Sequence, residues 1–367
     1  MKKILIFMSF ALAVGILLSA CGPAEEPAPD ETPTETPGDQ PGDEATEEAG
    51  DFSVRMVTDV GGVDDRSFNE SAWEGLQSFG EDFGVDVNYL QSGDAADYQP
   101  NLNRLVREGH DIVYAIGFLM ADDVRTISEQ QPDAQLAIVD SVVEGADGNP
   151  LENVAHITFK EHEGSFLVGV VAGLQTETNT VGFIGGVESG LIKKFENGFK
   201  AGVKAVNPDA NIIVQYAESF NDASRGQAIA GTIYGQGADI IYHAAGGTGN
   251  GLFTEAQERS RAGENVWAIG VDRDQHEQGM PENVTLTSMV KRVDQAVYQV
   301  SETTMNGEFP GGQIVEFGLE EEGVGIAETT ENVTEESLEA VEDYKNQILE
   351  GEIEVPETDE EYEAFIQ

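Results

Sequence analysis

The stretch VRMVTDVGGVDDRSFNESAWEGL (54–76) reads as three pieces in a fixed order. VRMVTDVGG (54–62) is a short apolar, β-branched run that ends in glycine, as a buried parallel strand does. DDRSFN is polar and turn-forming. Ser67 with Glu70 then has the spacing of a capping box, and Trp73, Leu76, Phe79 and Phe83 fall on one helical face. Strand, glycine turn and helix form the opening half of a βαβ unit.

The same phrase is written again farther along. TVGFIGG (180–186) is a second strand running into glycines, and Ile192, Phe195, Phe199 and Val203 repeat the helical stripe after it. DIVYAIG (111–117) recurs as DIIYHAAG (239–246), and LAIVDS (136–141) has its counterpart in VWAIGVD (266–272). Alternating strands and helices predict an α/β fold with parallel sheets covered on both faces. Two such units of nearly equal length predict two Rossmann-like lobes. Ligands of open α/β sheets sit beyond the carboxyl ends of the strands. Two facing lobes with a hinge would therefore form a ligand trap.

The boundaries follow. Lobe 1 is expected over 52–157, completed by about 290–310, and lobe 2 over 158–289, completed by about 311–350. Gly164 to Leu174 reads as an apolar helix with close-packing glycines. Thr285 to Met289 reads as a strand, Val290 to Met305 as a helix, Gln313 to Phe317 as a final strand and Glu335 to Leu349 as an acidic helix.

The region before the lobes is a different material. Residues 1–21, MKKILIFMSFALAVGILLSAC, carry two lysines, an apolar run too short to span a bilayer comfortably, and small residues just ahead of Cys21. Cys21 is the sole cysteine of the chain. This is the pattern of a lipoprotein signal peptide, cleaved before Cys21 and lipidated on its sulfur. The body would then be tethered to the cell membrane, facing outside the cytoplasm. Residues 22–51 hold eleven Asp or Glu, six of the thirteen prolines and no Lys, Arg or aromatic residue, and read as a disordered acidic linker.

The body, 52–367, carries 17 Lys and Arg against 58 Asp and Glu, a formal charge of −41. Nucleic acid and anionic lipid are poor partners for such a surface. The excess is spread along the chain, as in a solvated surface adapted to high salt, where the Debye length falls to about 3 Å. With no cysteine after Cys21, disulfides, thiol nucleophiles and thiolate metal sites are excluded from the body. The five histidines show no metal-ligand spacing, and no catalytic triad can be assembled; no cofactor is called for.

Several residues carry recognition chemistry. Asp59 ends the first strand, where a carboxylate can accept hydrogen bonds from amine or amide donors, beside Gly61 and Gly62. Phe68 is apolar in a polar turn, placed either to meet a ligand or to staple the following helix. Phe220, in ESFND (218–222), has the same setting in the second half. One phenyl ring per lobe could sandwich a planar ligand, at about 1–3 kcal/mol per face. GGTGNG (246–251) follows a strand but fits neither phosphate-loop fingerprint, which favours close approach of backbone to a neutral ligand. Asp272, at the end of a strand, can hold a vicinal diol. Lys291 is expected at a lobe crossing, where it could contact the same sugar.

Together these segments resemble the basic membrane protein family of lipoprotein substrate-binding proteins, typified by purine nucleoside receptors of bacterial ABC importers. TDVGGVDDRSFNESAWEGL (58–76) is the most specific part; FNDASRG (220–226), HAAGGTGNG (243–251) and IGVDRDQ (269–275) support it. The resemblance implies a periplasmic-binding-protein type I fold and a catalytically inert, monomeric protein. Permease and ATPase subunits would be its partners. It implies Phe68 and Phe220 stacked on a base, Asp59 on its edge with Asn69 nearby, and Asp272 and Lys291 on the ribose beside Gly246 and Gly247. Gly117 and Phe118 carry over more weakly. The strong negative charge departs from the family's name. Sugar- or flavin-like ligands remain open, as does a membrane-tethered sensor. A nucleoside hydrolase is a further alternative, since Asp59, Asp64 and Asp65 superficially resemble its calcium-binding aspartates.

Overall fold

The computed structural model describes residues 52–367. The signal peptide, Cys21 and the acidic stretch 22–51 lie outside the described residues.

Twelve strands and ten α-helices alternate along this region. The first half runs β1 (Ser53–Thr58), α1 (Phe68–Phe83), β2 (Asp86–Leu90), α2 (Tyr98–Glu108), β3 (Ile112–Ile116), α3 (Ala121–Gln130), β4 (Leu136–Val139) and β5 (Val154–Phe159). The second half repeats the order: α4 (Glu161–Gln175), β6 (Thr180–Gly185), α5 (Gly190–Val206), β7 (Asn211–Tyr216), α6 (Ala223–Gly235), β8 (Ile240–Ala244), α7 (Asn250–Arg261), β9 (Trp267–Asp272) and β10 (Thr285–Lys291). The remainder is α8 (Val293–Met305), β11 (Ile314–Phe317), β12 (Val324–Ile326), α9 (Glu335–Leu349) and α10 (Asp359–Phe365).

Two six-stranded sheets result, ordered β11-β5-β4-β3-β1-β2 and β12-β10-β9-β8-β6-β7. All pairings are parallel except β10 with β12. The central strands are buried on both faces, which is why they read as continuous apolar runs. The two orders are the same doubly wound pattern, so the repeat in the sequence is a repeat in space.

The chain passes between the lobes three times, at Phe159 to Glu161, Lys291 to Val293 and Phe317 to Val324. Here one expected boundary is corrected. Gln313 to Phe317 was expected among the residues completing lobe 2, yet β11 pairs with β5 at the edge of the first sheet. Its partner across the third crossing, β12, edges the second sheet antiparallel to β10. Four residues such as IVEF carry no signal for which sheet they join; register with His156 to Phe159 decides it.

Helices cover both faces of each sheet. In lobe 2, α4 and α5 approach each other closely. A Cβ on Gly202 would stand 2.0 Å from the Phe166 carbonyl oxygen, and one on Gly169 would stand 2.3 Å from that of Phe199. Only hydrogen fits at those crossings, which accounts for the glycines read in 164–174.

The start of α1 also differs from expectation. The Ser67 hydroxyl does not cap the helix. Asp65 does so instead: its Oδ1 accepts from the Ser67 and Glu70 amides at 2.9 and 3.1 Å, and its Oδ2 from the Asn69 amide at 2.9 Å. A carboxylate two residues earlier satisfies more of the orphan donors than a hydroxyl can. Ser67 and Glu70 are thereby left free for contacts outside the helix.

Candidate functional site

Where the two lobes face each other, residues from both enclose a cavity of about 50 Å³. Its polar wall comes from strand ends. Asp59 follows β1, Gly117 follows β3, Asp140 follows β4, Asp272 ends β9 and Lys291 ends β10. Its apolar wall is Phe68 and Phe118 from lobe 1 with Leu191, Ile192, Phe195 and Phe220 from lobe 2. Of the eight residues singled out in the sequence, seven line this cavity: Asp59, Phe68, Asn69, Phe220, Gly246, Asp272 and Lys291. Gly247 is set back, at the seam; a Cβ there would stand 3.3 Å from the Phe220 carbonyl oxygen and 3.7 Å from Asp65 Cβ.

The aromatic rings are held from behind. Phe220 packs against Gly186, where a Cβ would come within 2.1 Å of its ring. It meets Phe118 of the other lobe edge to face, with centroids 6.1 Å apart at 86°. Phe68, the first residue of α1, packs beside Gly117 and has the Lys291 ammonium 5.2 Å from its ring centroid.

Lys291 is the electrostatic centre. Its side chain is 1 % exposed, and its Nζ lies 2.6 Å from Asp140 and 3.1 Å from Glu161. Burial alone would push the ammonium down, but Asp140, Glu161 and Asp272 outweigh it and hold the lysine above its ordinary range. The acids respond oppositely. Burial pushes Asp272 up to about 7, with Lys291 and the Ser67 hydroxyl drawing it back. Burial also pushes Asp59 up to about 6, against hydrogen bonds from the Gly61 amide and Asn69. Asp65 and Glu161 are raised by burial as well.

Asn69 ties two of these acids together. Its Nδ2 donates to Asp59 Oδ1 at 2.8 Å and to Asp65 Oδ2 at 2.9 Å, and its Oδ1 accepts from the Asp59 amide at 3.2 Å. Asp59 Oδ2 accepts nothing among the described residues, and Asp140 Oδ1 is buried without a hydrogen-bond partner. The cavity is thus rich in acceptors, and its cation is already paired. It suits an uncharged ligand with a flat apolar body and several N–H or O–H donors. Asp64, the remaining aspartate of the opening run, is exposed.

Among the cavity residues with no part in nucleoside contact assigned from the sequence are Asp140, Asp65 and Phe195. Asp140 was legible through the repeat: it stands after β4 as Asp272 stands at the end of β9, and both adopt left-handed backbone, φ 66° in each case. Asp65 was masked by the stronger-looking capping box. Phe195 was read as core, which it is, but its ring also has Lys291 Nζ 5.4 Å from its centroid.

The comparisons with known proteins agree with this architecture. Residues 52–359 match the family model described as ABC transporter substrate-binding protein PnrA-like. The chain belongs to this family. Among curated relatives, a CD4+ T-cell-stimulating antigen of Listeria innocua is 48% identical, with 95% of this chain and 97% of the relative covered. The ABC transporter nucleoside-binding protein BmpA of Lactococcus lactis is 40% identical over 83% of this chain and 89% of its own length. A solved ABC transporter solute-binding protein of Aeropyrum pernix superposes with a TM-score of 0.77 at 26% identity, covering 85% of this chain and 96% of that one. The PnrA-like family is one of transport-associated binding proteins rather than catalysts. No helix among the described residues of this PnrA-like protein is long and apolar enough to cross a membrane.

Proposed function

We propose that this protein is the extracytoplasmic, lipid-anchored receptor of an ABC importer for purine nucleosides, held to the membrane through Cys21. The observation that supports it best is the single cavity with phenyl rings from both lobes and carboxylates at strand ends of both sheets. The Lactococcus relative, whose name gives it a nucleoside ligand, points the same way. In this reading Phe68 and Phe220 stack on the two faces of the base. Asp59 Oδ2 accepts from its edge, fixed by Asn69. Asp272, Asp140 and Lys291 take the ribose hydroxyls, and Gly246 and Gly247 let the backbone come close. Asp59, Asn69, Asp272 and Lys291 are nearly fully buried, so the lobes must part about a hinge to admit a ligand and shut on it. The shut form is then delivered to permease and ATPase subunits. The acidic surface is that of a protein at home in strong salt. Replacing Cys21 with Ala should abolish incorporation of labelled fatty acid into the chain; a Cys21→Ala chain that still takes up the label would refute the anchor.

Calorimetric titration at high salt against inosine, guanosine, adenosine, cytidine, ribose, riboflavin and inosine 5′-monophosphate tests the reading. Purine nucleosides should bind most tightly. The 5′-phosphate should bind at least about 100-fold more weakly, because charge must enter beside four carboxylates with no free cation to meet it. Ribose or riboflavin binding as well as inosine would overturn the assignment. Free base appearing from inosine in a calcium-dependent manner would favour a hydrolase instead.

The same titration across pH has a definite sign. A donor on Asp59 or Asp272 selects the ionised carboxylate, and these groups sit near 6 and 7. Nucleoside affinity should therefore rise between pH 5 and pH 8, with about one proton released per group near those values, by up to about tenfold per pH unit below each pKa. For the free protein the direction reverses. A carboxyl raised in the folded state stabilises the fold below its ordinary range, and that stability is lost as pH rises through 6 and 7. Affinity that is flat or falling over this window would remove both aspartates from ligand contact.

A further inference from the structure

The rim of the cavity carries a feature that no ligand contact requires. Arg273 follows Asp272 directly in lobe 2, and its guanidinium reaches across to α1 of lobe 1. Nη1 lies 2.8 Å from Glu70 Oε2 and Nη2 lies 2.7 Å from Glu74 Oε1. Glu70 and Glu74 are one helical turn apart on the same face, so one planar group engages both. The ion pairs are part-exposed: the side chains are 28 %, 29 % and 47 % accessible for Arg273, Glu70 and Glu74.

They do not stand alone. The loop just before α1 is gripped by lobe 2 at three successive residues. Asn250 Nδ2 donates to the Asp65 carbonyl at 3.0 Å, Gln275 Nε2 donates to the Arg66 carbonyl at 2.8 Å, and the Ser67 hydroxyl donates to Asp272. Arg66 is held in left-handed backbone, φ 59°, which turns that carbonyl out of the regular path. Gln275 is itself fixed, its Oε1 accepting from the Val271 amide and from His243, each at 2.9 Å. Arg273 is the charged end of this row, in a chain with 19 Lys and Arg against 69 Asp and Glu.

We propose that Arg273 is a positioning residue for ligand capture: a two-carboxylate clasp that joins the rims of the lobes and holds Asp272 against Ser67 in the shut arrangement. The proposal rests on the reading that the lobes close on a nucleoside. Its energetic content is simple. The clasp forms in the shut form and not in the open one, so it shifts the equilibrium between them. Apparent affinity then scales with the competent fraction. Release should be slowed more than capture is speeded, because the contact exists only after closure.

Salt gives the clasp a signature that a purely structural arginine lacks. Part-exposed ion pairs weaken as the Debye length falls from about 10 Å at 0.1 M to about 3 Å at 1 M salt. Inosine titration and stopped-flow release would be compared for the full-length parent, Arg273→Gln, Arg273→Lys and the double variant Glu70→Gln/Glu74→Gln, at 0.1 M and 1 M KCl. At 0.1 M the glutamine variant and the double variant should each bind roughly 3- to 20-fold more weakly, mostly through faster release, with lysine in between. At 1 M KCl the deficits should shrink to within about twofold. Equal deficits at both salts, or variants within twofold of the parent at 0.1 M, would overturn the clasp.

A ligand-independent readout separates the two readings. Spin labels at Ser78→Cys in α1 and Ala228→Cys in α6, in the Cys21→Ser chain, report the distance between lobes. Arg273→Gln should broaden and lengthen that distance at 0.1 M KCl in the absence of inosine. If the parent binds no nucleoside but the distance shifts, the ligand assignment fails and the clasp stands. If inosine binds and the distance is unchanged, the clasp fails alone.

Discussion

Replacing Lys291 with Met should lower the unfolding temperature of the body by roughly 5–8 °C at pH 8 and abolish detectable nucleoside binding. Methionine is unbranched and one atom shorter than lysine, so it replaces the apolar stem and removes the ammonium, which stands 4.9–5.4 Å from the ring centroids of Phe68, Phe159 and Phe195. That ammonium faces Asp140, Glu161 and Asp272 together; without it Glu161 keeps the more distant Lys194, 3.9 Å away. Breaking a buried ion pair on one side costs about 3–5 kcal/mol, since the remaining charge stays desolvated and alone. With an unfolding entropy of about 2.1 cal/mol/K per residue, that cost converts to the stated shift. The deficit has its own pH dependence. Without Lys291, Asp272 and Glu161 lose a charge that draws their protons off, so both are neutral at pH 5 and the fold is spared there; the deficit then widens as pH rises past 7, the value Asp272 has in the parent. Scanning calorimetry of both proteins at pH 5 and pH 8 checks this. A variant as stable as the parent at pH 8 would mean that the acids around Lys291 are neutral in the native protein.

The second large effect is on the rings. Phe68→Ala and Phe220→Ala should each weaken inosine binding about 10- to 100-fold, as expected for losing one stacking face worth about 1–3 kcal/mol. Phe220 is the cleaner test. It is half-buried, so its removal opens little core, and its ring is already oriented by Gly186 behind it and Phe118 at its edge. A preorganised ring loses little entropy on binding, so its full stacking energy is available to the ligand. Phe220→Tyr should keep most of the affinity. Titration of the two alanine variants decides the matter: if neither loses affinity, the base is not held between these rings.

Most of the architecture was readable because buried parallel strands leave a strong local mark. DIVYAIG (111–117) and DIIYHAAG (239–246) announce β3 and β8 by composition alone, and the acidic helix expected over 335–349 is α9. The misreadings share a cause. β11 and β12 are short, and their place is set by pairing with strands more than 30 residues away, which leaves no periodicity to read. The capping-box spacing that points to Ser67 is local, while the acceptor to which the Ser67 hydroxyl donates is Asp272, 205 residues on. Within the cavity, residues with an unusual position in the sequence were found: an aspartate at a strand end, a phenylalanine in a polar turn, a scarce lysine. Asp140 stands out only when the repeat is followed through to Asp272, and Asp65 entered only in the calcium-site alternative; the three-dimensional surroundings give each its place in the cavity wall.

The third crossing has a consequence for biosynthesis. Because β11 edges one sheet and β12 the other, both halves of the molecule wait for the same late stretch of polypeptide. Neither lobe can finish ahead of its twin while the chain is still being made, even though most of lobe 1 emerges early. A chain that stops short of Ile314 has two unfinished sheets in place of one finished domain, so final folding of both lobes is postponed until the stretch 314–326 has been made.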